Sequence, residues 1–424
     1  MKKLLADCWL LPDFESPLLR EAAVAVEDGK IVETGKTSDL KKKYAGWPTE
    51  SMQENLVMPG LVNTHTHMPM ALLRGRAEDL TLDAWLAKTR RFREKHYNEE
   101  VSRLAVKTTL MEALKAGVTT IADMTVGQPE YVDIVEKSGL RAVLYETVMD
   151  YVYPENCSAM LDFLEGQNNS LVKRGAALHA PYTCSESLLN WFRQEIIIGS
   201  NCPLSIHLAE TRGEEARMKK KWNEVPLDYL DSIGFFSSRL LAIHSIWLDA
   251  TQLQLLAKRG VSISHNPECN MKIGAGVAPV KEALEAGINV TLGTDSQASN
   301  NDQDLFGEMK TAALLQKVTH RNPCLLPASR VIKMATVNGA RALGLEKVGR
   351  LLPGWQADLT VIDINDLRFR PVHDPAALIV YNINGSDVLH TMVEGNWLLK
   401  NKKILSFDEQ KIYGKLIRFE SGIV

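Results

Sequence analysis

Residues 58–75 read MPGLVNTHTHMPMALLRG, with His65 and His67 one residue apart just where an apolar run gives way to a glycine-punctuated loop. Residues two apart in a strand project to the same side, so both imidazoles of H-T-H can reach one point. The chain has only 10 histidines in 424 residues, so such a pair calls for a reason. A metal site and a pair of solvated loop histidines are the two readings, and the rest of the chain decides between them.

From about Leu56 to Asn300, short apolar runs alternate with helical patterns. The runs are LVMPGLVNTH, VTTIADM, RAVLYETV, GAALHA, PLSIHLAE, LLAIHS, VSISHN and INVTLGTD. They are rich in Val, Ile, Leu and Ala without clean alternation, which suits strands buried on both faces of a parallel sheet. Between them, Glu99 to Ala116 reads as a helix, with Val101, Leu104, Ala105, Thr108, Met111 and Leu114 on one face, Asn98 as its cap and Gly117 at its close. TQLQLLAKRG and PVKEALEAG repeat the helix-then-glycine ending. The alternation predicts an α/β fold, a (β/α)8 TIM-like barrel over residues 58–345. An open doubly wound sheet fits less well, because no G-x-G-x-x-G loop follows the first strand. The ends differ: AAVAVEDGKIVETG near the start, then GWQADLTVIDIND and VLHTMVEGNWLLKNKKIL, read as short strands and turns. Residues 1–57 and 346–424 are expected to pair into a small composite β-sandwich domain beside the barrel.

A net charge of -3 gives no electrostatic reason to expect nucleic acid or an anionic membrane as partner. No apolar run is long enough to span a bilayer. Asp7, Asp13 and Glu15 interrupt the N-terminal leucines, so that segment reads as a mature strand and not as a signal peptide. The six cysteines are scattered without a C-x-x-C pair, which speaks against a disulfide scaffold and against a cysteine-ligated zinc site. A reducing cytoplasm is the expected location.

The active site of a barrel of this kind lies at the C-terminal ends of its strands. His65 and His67 end the first run, His179 the fourth, His207 the fifth, His244 the sixth and His265 the seventh, while Asp295 ends the eighth. Most of the chain's histidines thus fall on a small fraction of its length. A metal held by His65 and His67, with His207 and Asp295 as the natural further ligands, is a mixed His/Asp site typical of Zn2+ or Fe2+.

At these residues the sequence resembles the amidohydrolase superfamily, in particular the branch of metal-dependent deaminases acting on 5'-methylthioadenosine and S-adenosylhomocysteine. The segments that carry the resemblance are PGLVNTHTHMPMALLRG, HAPYTCS, HLAET, AIHS, SHNPECNMKIGAGVAPV and GTDSQASNNDQDLF, and it spans nearly the whole chain. It implies one divalent metal on His65, His67, His207 and Asp295, usually zinc, with Fe2+ or Mn2+ as alternatives. It implies catalytic roles for Asp295 as base, Glu210 as proton donor to the ring nitrogen and His244 as orienter of the nucleophile. Substrate contacts follow from the same resemblance: Glu94 to the ribose hydroxyls, His179 to the purine edge, Glu210 to the ring nitrogen, and Trp85 against the nucleoside. The sequence before Glu94 is Arg91-Phe92-Arg93 where the family often has Trp-Pro.

The expected reaction is conversion of the 6-amino group of an adenine nucleoside (5'-methylthioadenosine, adenosine or S-adenosylhomocysteine) to the inosine product with release of ammonia. The segment YETVMDYVYPENCSAMLDF after the third strand carries no arginine, which favours an uncharged 5' group. No lysine ends the fourth strand, which disfavours the binuclear carbamylated-lysine branch. The rival reading is a deaminase or hydrolase of another N-heterocycle (guanine, cytosine or triazine), for which a ribose-binding Glu94 would have no use. A catalytically dead barrel serving as an assembly subunit is opposed by the intact polar set. The partner is expected to be a small-molecule nucleoside, with neither nucleic acid nor membrane, and a homo-oligomer is possible.

Overall fold

The computed structural model describes residues 1–222 and 226–422, the side chains of 220–226 excepted. Eight parallel strands form the central sheet: Leu61–Thr66, Val118–Thr125, Arg141–Val148, Val172–Leu178, Leu204–Leu208, Leu240–His244, Ser262–His265 and Asn289–Leu292. Each pairs with its neighbour in sequence. Among the described residues no backbone ladder joins the first strand to the eighth. Thr64 bridges that seam instead: its Oγ1 lies 2.8 Å from Thr291 Oγ1 and donates to Leu292 O at 2.8 Å, and one step on Asp295 N donates to His65 O at 2.9 Å. Gly293 permits this approach, because a Cβ there would sit 2.8 Å from the His65 amide nitrogen.

The missing alternation has a plain cause: both faces of the barrel strands are buried. Val62, Ala122, Val143, Tyr145, Ala177, Leu241 and Ile243 form one apolar cluster, completed by Ala340, Leu343, Leu345 and Val348 from the segment after the barrel. The intervening residues, such as Leu61, Ile121, Leu144, Ala176 and Ala242, belong to a second cluster shared with the surrounding helices. Periodicity therefore leaves the run 56–66 undivided, yet the structure splits it at Gly60. Leu56–Pro59 pairs antiparallel with Leu359–Ile362 and parallel with Trp9 and Leu10, while Leu61–Thr66 enters the barrel. A Cβ at Gly60 would lie 2.1 Å from Thr119 Cγ2, so the chain can pass here only without a side chain.

The strands from both ends join in one continuous nine-stranded mixed sheet. The helix Thr37–Lys43 sets Leu40 against Leu4, Ala6, Ala23 and Ala25 on one face of it. The C-terminal helix Glu409–Ser421 leaves this sheet and lies along the barrel helix Glu99–Lys115, tied by Lys415 to Glu100 at 2.6 Å. Among the described residues no helix is long and apolar enough to cross a membrane.

A buried ion pair fastens sheet to barrel. Arg141, at the start of the third barrel strand, donates from Nε to Asp358 Oδ2 at 2.9 Å, from Nη1 to Ser170 O at 2.6 Å and from Nη2 to Glu394 Oε1 at 3.2 Å. Asp358 also accepts from the Glu394 amide at 2.8 Å. The two side chains are 4% and 1% exposed, so removing Asp358 leaves the buried Arg141 guanidinium with only the partly exposed Glu394 as counter-charge. Asp358→Ala is expected to cost about 3–5 kcal/mol, read as a lowered urea midpoint of unfolding.

Candidate metal centre and active site

The strand exits bring the predicted ligands together. His65 and His67 leave the first strand, His207 the fifth and Asp295 the eighth. One ligand atom each from His65, His67 and His207 lies within 4.8 Å of the others, and the same holds for His65, His244 and Asp295. Asp295 Oδ1 stands 3.5 Å from Nε2 of both His65 and His67. His207 Nε2 is 3.3 Å from His65 Nε2.

The donor set fits a divalent cation. His67 Nδ1 is bonded to Met124 O, and His207 Nδ1 to His179 O at 2.7 Å. A carbonyl accepts only, so in both rings the proton sits on Nδ1 and Nε2 presents a lone pair to the cluster. Burial holds these imidazoles neutral, with His67 brought down to about 3 and His65 and His207 also lowered. Burial works against charge on Asp295, but the hydrogen bond from His65 and the electrostatic influence of the His65, His67 and His244 rings hold it well below the usual carboxylate range. Three neutral imidazoles and one carboxylate converging in a buried cleft suit a single divalent ion such as zinc.

Beside this cradle stand Glu210 and His244. His244 Nε2 lies 3.8 Å from Glu210 Oε1 and 3.8 Å from Asp295 Oδ2. His244 Nδ1 bonds Asn270 Oδ1 at 2.8 Å, which sets the ring plane. Burial raises the Glu210 carboxyl above its ordinary value, with the negative charge of Asp295 adding to the effect and His244 opposing it. Ala209 (φ 50°), His244 (φ 66°) and Asp295 (φ 65°) all take the left-handed backbone region that side-chain-bearing residues avoid. Strain of this kind persists only where surrounding contacts over-determine it, and here it turns the chain sharply at three strand exits.

The cluster opens into a cavity of about 610 Å³. Its lining includes most of the residues singled out in the sequence: His67, His179, His207, Glu210, His244 and Asp295 at the strand ends, with Trp85 and Glu94 above them; His65 lies behind, buried. His179 does more than face the cavity, since its carbonyl orients His207 and its Nδ1 meets Thr183 Oγ1 at 3.2 Å. Trp85 serves core and cavity alike. It is 8% exposed, bonds Ala298 O through its indole N–H at 3.2 Å, and joins a satellite apolar cluster with Leu73, Ala77 and Ala298. Glu94 is half exposed and paired with Arg90 at 2.8 Å. His265 is wholly buried and lines no part of the cavity.

Two groups of functional neighbours escape the motif reading. Asn270, in the already conspicuous SHNPECNMK, steers His244, and Cys269 of the same turn donates to Asp295 Oδ2 at 2.9 Å. The cations of the cavity come from the helix Leu82–His96, as Arg90 and Arg93, while the loop after the third strand contributes Tyr151 and Val152. That helix gives Leu82, Trp85, Leu86, Thr89, Arg90, Arg93 and Glu94 to the cavity, a single stripe at helical spacing.

Fold and site together define a barrel hydrolase built around one divalent metal. The sequence model of the amidohydrolase family matches residues 56–398, and that of the imidazolonepropionase-like composite domain of bacteria matches residues 22–46. The chain belongs to the amidohydrolase family. It is 40% identical over 403 residues, 93% of this chain and 91% of the relative, to a 5'-deoxyadenosine deaminase of Methanosarcina mazei. It is 38% identical over 391 residues, 91% of each chain, to a 5-methylthioadenosine/S-adenosylhomocysteine deaminase of Thermococcus onnurineus. The solved structure of an adenosine deaminase from Xanthomonas campestris with bound zinc matches with a TM-score of 0.94 and 29% identity, covering 99% of this chain and 98% of that one. A triazine hydrolase variant shares the fold, with a TM-score of 0.88 at 22% identity.

Proposed function

We propose that the chain is a metal-dependent hydrolytic deaminase of adenine nucleosides, exchanging the 6-amino group for oxygen and releasing ammonia. The observation that carries this reading is the grouping of a buried acid, Glu210, and His244 at the edge of a four-ligand cradle, opening into one cavity. An ion held by His65, His67, His207 and Asp295 supplies the Lewis acidity that makes water nucleophilic near neutral pH. Asp295 takes the proton of the attacking water. Glu210, its carboxyl raised above the ordinary value by burial, gives its proton to the ring nitrogen next to the attacked carbon and then helps the amine leave. His244, anchored by Asn270, turns Nε2 toward the gap between Glu210 and Asp295 and orients the water there.

A cavity of about 610 Å³ suits a nucleoside. His179 meets the purine edge, and Glu94 accepts the two ribose hydroxyls, which a carboxylate does well. Arg90 has its charge taken up by Glu94 and by the ring of Tyr151, 4.0 Å away, Arg93 lies over the ring of Tyr97 at 5.8 Å, and Met70, Leu82 and Leu86 are apolar. These features support an uncharged 5' group, as in 5'-deoxyadenosine or methylthioadenosine. Among the described residues no disulfide joins the cysteines, which suits a cytoplasmic location.

The test is the absorbance change of adenine-to-hypoxanthine conversion, run with zinc-loaded protein over 5'-deoxyadenosine, methylthioadenosine, adenosine and S-adenosylhomocysteine. Turnover is expected on the first three. Turnover of guanine, cytosine or a triazine with none of the nucleosides would replace this reading by the heterocycle hydrolase. Glu94→Gln is expected to raise KM for adenosine analogues about 10- to 100-fold with kcat little changed, the weight of hydrogen bonds to a charged acceptor. Steady-state kinetics check this, and unaltered KM would remove Glu94 from the ribose site.

A further inference from the structure

Glu214 opens the helix Glu214–Trp222, where a carboxylate is ordinarily solvated, yet it is only 3% exposed. Its oxygens face inward. Oε1 accepts the amide of Ala209 at 3.2 Å and Oε2 the amide of Glu210 at 3.0 Å. It thus clasps the two residues that follow the fifth barrel strand, one of them the left-handed Ala209. The carbonyl side of Ala209 is engaged as well, by the amides of Ile246 at 3.0 Å and Trp247 at 2.9 Å. The amide of Ser245, itself left-handed, donates to Leu208 O at 2.9 Å. The turn that presents Glu210 and the turn that presents His244 are therefore stitched together, and Glu214 holds the free edge of the first. Capping of its own helix does not account for these bonds, because both amides precede the helix by several residues.

We infer that Glu214 is a positioning residue that fixes the backbone beneath Glu210, and through the shared turns the separation of Glu210 from His244. This rests on the assignment of Glu210 as the acid. Its carboxylate contacts no substrate atom: Glu210 lines the cavity and Glu214 does not. Loss of the clasp would let Ala209 relax and Glu210 drift, and a displacement of about 1 Å at a reacting group costs on the order of 10²-fold in rate.

The experiment uses the full chain loaded with zinc and compares Glu214→Gln, Glu214→Ala, Glu210→Gln and the double variant Glu210→Gln/Glu214→Gln. Glu214→Ala is expected to lower kcat on a nucleoside substrate about 10²-fold, with KM and zinc content unchanged. Glu214→Gln, nearly isosteric and still offering one acceptor oxygen, is expected to lose less and remains informative should the alanine variant fold poorly. The decisive arm is the double variant, which should be no slower than Glu210→Gln alone, since a residue acting through Glu210 has nothing left to position. Amide exchange at Ala209 and Glu210 should quicken in Glu214→Ala, with other barrel amides unchanged. Multiplying losses in the double variant, loss of zinc, or a fully active Glu214→Ala in an enzyme that still needs Glu210 would overturn the positioning role alone. A fully active Glu210→Gln would instead remove the acid role, and the inference with it.

Discussion

Glu210→Gln is expected to lower kcat by about 10²- to 10⁴-fold, the usual contribution of a positioned acid, while zinc stays bound. The amide fills the same volume between His244 and the cavity but has no acidic proton for the ring nitrogen. Glu210 lies outside the converging ligand groups, so its loss leaves their atoms in place. The checks are steady-state kinetics on an adenine nucleoside beside metal analysis of the same sample. A variant that loses activity together with its metal would show that Glu210 is a ligand. One that keeps activity would show that the proton comes from elsewhere.

His67→Ala should have the opposite signature. Zinc is expected to fall from stoichiometric to near zero after dialysis, and activity with it, while far-ultraviolet circular dichroism stays unchanged. His67 is more exposed to the cavity than the other proposed ligands at the seam, with a side chain 18% exposed against 9% for Asp295 and 1% for His65, so its removal opens the cradle to solvent without hollowing the core. The three groups left behind must take water in place of the lost imidazole, which is expected to weaken the hold on the ion enough for dialysis to strip it. Stoichiometric metal in this variant would mean that the ligand set is misassigned.

The ligand cradle was legible because strand exits carry little besides function in a parallel barrel. Histidines there, at His65, His67, His207 and His244, stand out against Val, Ile and Ala. Other features left no such trace. The switch from one sheet to the other at Gly60 falls inside an evenly apolar run, and only the approach of Thr119 determines it. The bonds from Asn270 to His244 and from Glu214 to the Glu210 amide depend on how loops return onto one another, which no local period encodes. The cations of the cavity were sought in the loop after the third strand, yet they arrive on the helix Leu82–His96, where Arg90 and Arg93 read as ordinary surface residues. The C-terminal helix Glu409–Ser421 was hidden by the strand-like segments just before it.

The edge between the first and eighth strands, which carries no backbone ladder among the described residues, would give a bound ion a mechanical office. His65 and His67 belong to one side of that seam and Asp295 to the other. Where every other neighbouring pair of barrel strands is laced by a ladder of backbone bonds, this one relies on the backbone bond from Asp295 N to His65 O, on Thr64, on the bare backbone of Gly293 and on whatever joins the candidate ligands across the gap. A cation held by His65, His67 and Asp295 would act there as a rivet, and its affinity would at the same time be a term in the closure of the ring. Because ligands that bind only the folded form stabilise it, the hoop should be firmest when the enzyme is ready to work and most easily sprung when the metal has been stripped.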